Sequence, residues 1–297
     1  MKSRYKGIFF IIISAFSFAL MNVLVRMSGD LPTIQKAFFR NFIALCIAAV
    51  ILLKNRESIS LPSGKGWWDM VGRSLCGTLG IFANFYAVDH LIVSDASMLN
   101  KLSPFFVLLF SFLMLKEKMK PFQVACVFMA FVGTLFVIKP GVTGMRLIPS
   151  LVGVSGGLLA GMAYTYVRKL GLRGVSSSFI VLFFSGFSCV VSLPYILMHY
   201  SPMTMYQLFI LLMAGVAASG GQFFITMAYT YAPGREISIY DYTQIIFVTG
   251  LSFVLLGQIP DSLSFVGYAV IIAASVIMFV YKDRKSTRLN SSHTNLS

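Results

Sequence analysis

The sequence contains very little charge for its length. Only 11% of its 297 residues are Asp, Glu, Lys or Arg, whereas 57% are hydrophobic. Soluble domains carry about 25% charged residues, so a chain of this composition cannot cover a water-exposed surface. Helices satisfy their own backbone hydrogen bonds within hydrocarbon. The composition therefore predicts an all-α integral membrane protein.

Acidic residues are especially scarce. The chain has 10 Asp and Glu against 24 Lys and Arg, which gives a net charge of +14. Such a balance can indicate nucleic-acid binding, but here the basic residues lie between apolar blocks rather than on a polar surface. Basic connections between apolar blocks are typical of the cytoplasmic loops of membrane proteins. We therefore expect a lipid bilayer as a partner, and no nucleic acid.

The sequence also lacks the motifs of a catalytic or metal site. Its four cysteines are isolated within apolar blocks, and no CxxC or Cys/His cluster occurs. There is no glycine-rich nucleotide loop and no nucleophile motif. We expect no enzyme activity, no metal, no cofactor and no ATP-driven pumping.

Long apolar runs are what the sequence has instead. A spanning helix needs about 20 mostly apolar residues, and the runs between polar and Gly/Pro breaks predict ten spans. Basic residues concentrate in alternate connections, which places both termini in the cytoplasm and the chain in the cell membrane. The predicted spans are 7–26, 33–53, 68–89, 94–115, 121–138, 148–167, 177–198, 206–229, 236–257 and 262–281.

An internal repeat relates the two halves of the chain. At an offset of 141, residues 80–115 match residues 221–256 at nine of 36 positions. The same register places spans three to five on spans eight to ten. The chain thus divides into two five-helix units, 7–141 and 148–283, which cross the membrane in opposite directions because five is odd. Inverted repeats of this kind are typical of secondary transporters.

The end of the sequence differs in composition. Residues 284–297 are polar and rich in Ser and Asn, and such a segment cannot bury an apolar face. We expect a disordered tail, or a cloning or sequence-assembly scar.

The first half closes with the segment SDASMLNKLSPFFVLLFSFLMLKEKMKPFQVACVFMAFVGTLFVIKP, which residues 236–281 echo more weakly. Over about residues 7–283 the chain resembles the EamA family of the drug/metabolite transporter superfamily. The second half departs from the pattern, because residues 257–260 replace the family's usual acidic ending and Ile245 replaces a proline. The resemblance implies a ten-helix bundle that moves small metabolites by alternating access.

A lysine and a proline interrupt the fourth span. Lys101 lies seven residues from Ser94, about 10 Å along a helix and close to the bilayer midplane. Pro104 has no N–H for the carbonyl of Asn100, and a freed carbonyl needs protein or a wet cavity to satisfy it. We predict a broken helix in which Asn100 and Lys101 face a substrate. The alternative is that Lys101 snorkels to the headgroups.

The ninth span carries the counterpart of this break. At offset 141, Asp241 corresponds to Asn100 and Gln244 to Ser103. Helical spacing predicts that Tyr240, Asp241 and Gln244 share one polar face. Carboxylates within the membrane often mark ion pathways, so coupling of a proton or cation through Asp241 is a subsidiary hypothesis. The alternative is a structural ion pair with Lys101 or Arg40.

Three further polar residues are candidates for substrate binding. Arg40 lies about seven residues inside the second span, where it could clamp a carboxylate or phosphate, or pair with Asp241. Asn84 and Tyr164 are weaker candidates, because such residues also hydrogen-bond to a neighbouring helix or fill the core.

The sequence favours a secondary transporter that exports or exchanges a small polar, amino-acid-like metabolite by alternating access. A proton-coupled uptake carrier is the alternative within the same class. A non-transporting membrane receptor and a lipid-modifying membrane enzyme are the alternatives of other classes. The sequence leaves the substrate, the coupling ion and the oligomeric state open.

Overall fold

The computed structural model describes residues 2–55, 62, 64–115, 121–139, 146–231 and 238–294. Within these ranges the secondary structure is entirely helical. The helices are α1 (Lys2–Met27), α2 (Thr33–Asn55), α3 (Lys65–His90), α4 (Val93–Asn100), α5 (Ser103–Leu115), α6 (Pro121–Ile138), α7 (Leu147–Leu172), α8 (Ser177–His199), α9 (Met205–Tyr231), a 3-10 helix (Ser238–Tyr242), α10 (Thr243–Leu256) and α11 (Ser262–Thr294).

Local sequence signals set several of these boundaries. Ser176 caps the start of α8 by accepting a hydrogen bond from the N–H of Phe179. Asp261 does the same for α11 through the N–H of Ser264, at 2.8 Å. The left-handed Gly257 ends α10, with a φ of 64° that residues with a side chain rarely adopt. The long apolar runs therefore become separate helices at the positions where polar caps and glycine occur.

The helices have the length and composition of a membrane protein. Within the described residues, seven helical segments are long and apolar enough to cross a membrane, and one of them, Val93–Met114, runs through α4 and α5. Two shorter apolar segments cover Tyr240–Leu256 and Ser262–Ile277. The chain is thus a multi-pass membrane protein. The number of ten spans stays a prediction.

The fourth and ninth predicted spans are broken rather than continuous. Lys101 and Leu102 form a turn between α4 and α5, as Pro104 predicted. The ninth span was predicted as one helix over 236–257, but the structure has a 3-10 helix followed by α10. Residues 236 and 237 lie outside the described residues. The Thr243 hydroxyl donates to the carbonyl of Tyr240 at 2.6 Å, and such local side-chain bonds compete with regular α-helix.

The helices pack in pairs that the predicted repeat relates to one another. The repeat equates α1 with α7 and α3 with α9, and the structure packs α1 along α9 and α7 along α3. The helices α2 and α8 are in contact, and so are α6 and α11. In each of these pairs, the two helices are repeat counterparts of one another. These contacts are the ones that a repeat at an offset of 141 predicts, and the inverted repeat itself stays a prediction.

The last helix is longer than expected. We predicted a disordered segment from residue 284, but α11 continues as far as Thr294. The segment from Lys282 to Thr294 contains neither proline nor glycine to interrupt a helix. Residues 295–297 lie outside the described residues.

Polar contacts join the helices at one end of the bundle, which we call the distal end because both termini lie at the other. It is where α1 and α3 finish and where α2, α4, α7, α9 and α11 begin. The contacts there are Lys36 with Asp89, Gln35 with Ser201, Gln207 with the carbonyl of Ser28, Gln258 with the N–H of Val93, and Lys139 with Asp261. At the opposite end, Asp69 pairs with Lys169 and Arg173.

Candidate functional site

The two helix breaks meet in an ion pair. The ammonium nitrogen of Lys101, at the turn between α4 and α5, lies 2.5 Å from Oδ2 of Asp241 in the 3-10 helix. The side chains retain 12% and 17% of their accessibility. Oδ1 of Asp241 is buried and has no hydrogen-bond partner among the described residues. The site therefore offers one uncommitted carboxylate oxygen beside a neutralised charge.

A backbone contact reinforces this junction. Because Phe105 donates its N–H to Leu102, the carbonyl of Lys101 is not taken up by a regular helical bond. The hydroxyl of Tyr242 donates to that carbonyl at 3.2 Å and accepts from the hydroxyl of Ser275 at 2.6 Å. Lys101 and Tyr242 are repeat counterparts, so each broken segment contacts its equivalent. The prediction concerned the carbonyl of Asn100; it is the neighbouring carbonyl, of Lys101, for which protein provides the partner.

Glycines of α7 allow the broken helix to approach closely. A Cβ at Gly157 would lie 2.7 Å from the carbonyl oxygen of Leu99, and a Cβ at Gly161 would lie 2.9 Å from that of Ser103. These carbonyls belong to the residues that flank the break. Small residues therefore hold α7 directly against the backbone of the break, as they do in packed membrane helices.

Arg40 lies inside the bundle without a carboxylate partner among the described residues. Its side chain is buried, with 7% of its accessibility remaining. One guanidinium nitrogen lies 2.5 Å from Oδ1 of Asn41, whose amide donates to Ser188 at 2.7 Å. The Nε of Arg40 has no acceptor. The possible pairing with Asp241 is not present, because Asp241 pairs with Lys101.

Tyr164 lies among charged side chains of three other elements. It is in the middle of α7 and interacts electrostatically with Arg40 on α2, Arg73 on α3 and Asp241 of the 3-10 helix. Although these elements lie near it, 45% of its surface is exposed. The side chain is therefore accessible to a ligand. Tyr164 thus connects the ion pair of the helix breaks with the arginines of α2 and α3.

Arg73 is a site residue that the sequence analysis missed. Only 6% of its surface is accessible, and its guanidinium carbon lies 4.2 Å from the centroid of the Phe184 ring. It interacts electrostatically with Arg40 and Tyr164. Arg73 does not stand out in the sequence, because it lies only five residues after the predicted start of its span. One signal in the sequence could have indicated it: Gly77 lies one helical turn after Arg73, and a glycine there leaves room for a large side chain.

The other predicted site residues lie elsewhere in the bundle. Asn84 donates to Asn22 at 3.4 Å, and Asn22 donates to Ser97 at 2.9 Å, so that α3, α1 and α4 are linked. Tyr240 packs against an apolar cluster that includes Ile11.

Two of the predicted residues lie close to the junction itself. Gln244 is buried one residue inside α10. The carbonyl of Asn100 lies over Gly157. The structure therefore brings together Lys101, Asp241, Tyr164 and Arg40, with Asn100 and Gln244 adjacent in the chain to the ion pair, and places Asn84 and Tyr240 in helix packing.

Charge at the distal end stabilises the start of α11. Burial acts to raise the pKa of Asp261, but the hydrogen bond and charge of Lys139, at 2.6 Å, and the N–H of Ser264 outweigh it. The pKa of Asp261 is therefore lower than its ordinary value. The carboxylate stays ionised at neutral pH and ties α6 to α11.

Comparison with known proteins finds a family and several full-length relatives to which the chain is similar. Residues 5–139 match the EamA-like transporter family. The pseudopaline exporter CntI of Pseudomonas aeruginosa strain UCBPP-PA14 is 28% identical over 274 residues, which cover 92% of this chain and 95% of that protein. The S-adenosylmethionine uptake transporter of Rickettsia prowazekii is 23% identical, over 99% of this chain and 98% of that protein.

Two further comparisons extend across the chain. Human solute carrier family 35 member G1 is 21% identical, and the match covers 95% of this chain and 81% of that protein. A solved crystal structure matches with a TM-score of 0.65 at 15% identity, covering 91% of this chain and 96% of the other. That last likeness concerns the fold alone. Residues 5–139 are thus similar to the EamA-like transporter family, and the relatives that match along most of the chain are named as transporters of small molecules.

Proposed function

We propose that this protein is a secondary transporter that moves a small polar, amino-acid-like metabolite across the cytoplasmic membrane, in export or exchange. It acts by alternating access of two inverted five-helix halves, with both termini in the cytoplasm. The observation that carries the proposal is the ion pair between Lys101 and Asp241, which joins the two halves where both helices are broken. Ionisable groups at such depth are expensive to bury and usually functional.

The reciprocal packing of the helices supports alternating access. The contact of α1 with α9 has its counterpart in that of α7 with α3. An arrangement related by a two-fold axis can exchange the conformations of its halves and thereby open the central site to either side. The proposed site joins the two predicted halves, because Lys101 in the first half contacts Asp241 and Tyr242 in the second.

The names of relatives support a small polar substrate without fixing its direction. One relative is named as an exporter of pseudopaline, and another as an uptake transporter of S-adenosylmethionine. We propose export or exchange, with Arg40, Lys101, Asp241 and Tyr164 as the main binding residues. Asn100 and Gln244 contribute beside them, and Asn84 and Tyr240 contribute indirectly, through the packing of the surrounding helices.

Reconstitution tests the proposal. Purified protein in liposomes is loaded with a labelled panel of amino acids, their derivatives and nucleosides, and efflux and counterflow are measured against protein-free liposomes. We expect saturable movement of one class of compound, and a strong loss in Arg40→Ala. Folded protein that moves no compound in either direction, in a panel that includes the cargo of its relatives, contradicts the proposal.

Coupling through Asp241 is tested in the same liposomes. We propose that the uncommitted Oδ1 of Asp241 binds a proton or cation during the cycle. Transport is compared with and without a pH or sodium gradient, in wild type and in Asp241→Asn. We expect the gradient to drive accumulation only in wild type. Full gradient-dependent transport by Asp241→Asn removes the coupling role.

A further inference from the structure

Two buried arginines lie near the proposed site. Arg40 on α2 and Arg73 on α3 retain only 7% and 6% of their accessibility. They interact electrostatically with each other, and both interact with Tyr164, which is 45% exposed. Arginine keeps its charge under nearly all conditions. The wall formed by α2, α3 and α7 thus carries two permanent positive charges.

These charges have no carboxylate of the described residues to neutralise them. The carboxylate that interacts with Tyr164 is Asp241, and its Oδ2 is held by Lys101. Two other buried acids are engaged elsewhere: Asp69 pairs with Lys169 and Arg173 at the end of the bundle, and Asp95 accepts a hydrogen bond from Tyr268. Burying an unpaired charge is costly, so a pair of such charges calls for an anion from outside the chain.

The surroundings of Arg73 are those of a prepared site. The ring of Phe184 covers one face of the guanidinium, at 4.2 Å, which partly compensates for the loss of water. Gly77 leaves the space that the guanidinium fills, since a Cβ there would overlap its terminal nitrogen. The Nε atoms of both Arg40 and Arg73 are buried without an acceptor. These groups keep both guanidinium planes in place and leave hydrogen-bond donors uncommitted.

We infer that Arg40 and Arg73 form an anion site and that the transported metabolite is a dianion, with carboxylate or phosphate oxygens facing the two guanidinium groups. The planar fork of arginine suits both kinds of oxygen group through paired hydrogen bonds. Two negative charges on the substrate balance the two positive charges of the wall. This inference rests on the proposed transport function, and it narrows the polar substrate to an acidic one.

Equilibrium binding tests the anion site separately from transport. Protein in lipid nanodiscs is titrated with radiolabelled malate, and unlabelled succinate, glycerol phosphate, inorganic phosphate, chloride and the neutral succinamide are added as competitors. We expect saturable malate binding that other dianions displace and that succinamide does not. Succinate as the stronger competitor indicates a carboxylate substrate, and glycerol phosphate as the stronger one a phosphate substrate.

Variants assign the binding to the two arginines. Arg40→Gln and Arg73→Gln are each expected to weaken malate binding at least tenfold. Arg73→Lys keeps the charge but loses the planar fork, so we expect its malate binding to lie between that of wild type and that of Arg73→Gln. Because the charge is retained, this variant should also fold more readily than Arg73→Gln. The control is Arg173→Gln, which removes an arginine that pairs with Asp69 at the end of α7 and should bind malate as wild type does.

The outcomes separate the two claims. The anion site is overturned if the wild-type protein binds no dianion. It is also overturned if Arg73→Gln and Arg73→Lys both bind malate as well as the wild type does. Transport of a neutral or cationic compound that dianions do not inhibit also overturns it, while the transporter proposal stands. Malate binding that needs both arginines, in a protein that transports nothing in liposomes, retains the site and rejects the transport function.

Discussion

At the scale of single residues, the ion pair of Lys101 and Asp241 is compatible with both a structural role and the proposed functional one. The side chains keep 12% and 17% of their accessibility, so the pair is not sealed from solvent. Sequence reasoning treated substrate binding and a structural ion pair as alternatives for Asp241. The two are compatible, because one oxygen holds Lys101 while Oδ1 has no partner among the described residues.

A double-mutant cycle measures the structural part of this pair. Lys101→Met and Asp241→Leu each leave an unpaired charge in the bundle, and each is expected to lower the free energy of unfolding. The double variant leaves no charge, so we expect a coupling of about 2 kcal/mol between the two sites. Denaturant titration in mixed micelles measures these free energies. Additive losses, without coupling, would show that the pair contributes nothing to the fold.

The sequence pointed to residues whose side chains are unusual within an apolar span. It did not point to residues whose role depends on a partner that is distant in sequence. Lys101 and Arg40 stood out because apolar spans surround them, and Pro104 predicted the helix break. Arg73 was missed because it lies close to the predicted start of its span. Its role as a candidate site residue also depends on contacts with Phe184 and Tyr164, which are distant in sequence. The contact of Asn84 with Asn22 likewise depends on tertiary packing.

At the scale of helices, α7 acts as the support of the broken segment. Its glycines lie against the carbonyls of Leu99 and Ser103, so the geometry of the break depends on the close approach of two backbones. The apolar sequence of α7 predicted its helix and its small-residue face. It did not predict which helix that face contacts, because small residues permit approach without selecting a neighbour.

We predict that Gly157→Ala destabilises the protein. The new Cβ would lie 2.7 Å from the carbonyl oxygen of Leu99, and overpacking of this kind costs about 1–3 kcal/mol. Gly171→Ala is the matched control in the same helix, because a Cβ there has nothing within 4 Å. Melting temperatures in detergent compare the two. Equal stability of Gly157→Ala and Gly171→Ala would contradict this account of the break.

The start of α11 gives a pH-dependent prediction. Because the pKa of Asp261 is lowered in the folded protein, its stabilising effect is present above its ordinary pKa and is lost as the pH falls through the lowered value. We expect acidification to lower the melting temperature of wild type more than that of Asp261→Asn. Identical acid sensitivity of the two proteins would be the contrary result.

Asp261 also caps α11, and the capping effect can be separated from the ion pair. Asp261→Ala removes both the bond to Ser264 and the pair with Lys139, whereas Asp261→Asn retains a capping oxygen. Loss of a cap costs about 1 kcal/mol, which corresponds to roughly 2 °C in melting temperature for a chain of this size. Asp261→Ala should therefore melt below Asp261→Asn at neutral pH, and coincident melting curves would argue against the cap.

At the scale of the whole molecule, polar contacts close the distal end across the two predicted halves. Gln35 and Ser201 exchange hydrogen bonds of 2.9 and 3.0 Å, and Gln207 donates to the carbonyl of Ser28 at 3.1 Å. Gln35 and Ser28 belong to the first predicted half, and Ser201 and Gln207 belong to the second. Alternating access requires contacts of this kind to separate when the site opens toward the distal side.

We predict that a covalent link across this end stops the transport cycle. Gln35→Cys and Ser201→Cys are combined in a background without the four native cysteines, and a short cleavable thiol cross-linker joins them. Transport should fall to the level of protein-free liposomes and return after cleavage. The single variants treated with the same reagent serve as controls. Undiminished transport by the cross-linked protein would mean that the distal end stays closed throughout the cycle.

The order of the helices and the pairing of equivalent segments follow from hydropathy, the charge of the connections and the offset of 141. The position of the halves relative to each other does not, because it depends on contacts between helices far apart in sequence. The tail shows a further gap between composition and structure. A polar segment without proline or glycine can continue a helix that an apolar segment has started, as α11 does through Thr294.

The central claim is that the two broken helices meet at the transport site, and one exchange measurement tests it most directly. With the compound identified by reconstitution, counterflow rates are compared among wild type, Lys101→Ala, Asp241→Asn and a matched distal pair of variants, Lys139→Ala and Asp261→Asn, which break an ion pair of similar length. We predict at least a tenfold loss in the first two variants and little change in the distal pair. Wild-type rates in both Lys101→Ala and Asp241→Asn would contradict the account and move the site elsewhere in the bundle.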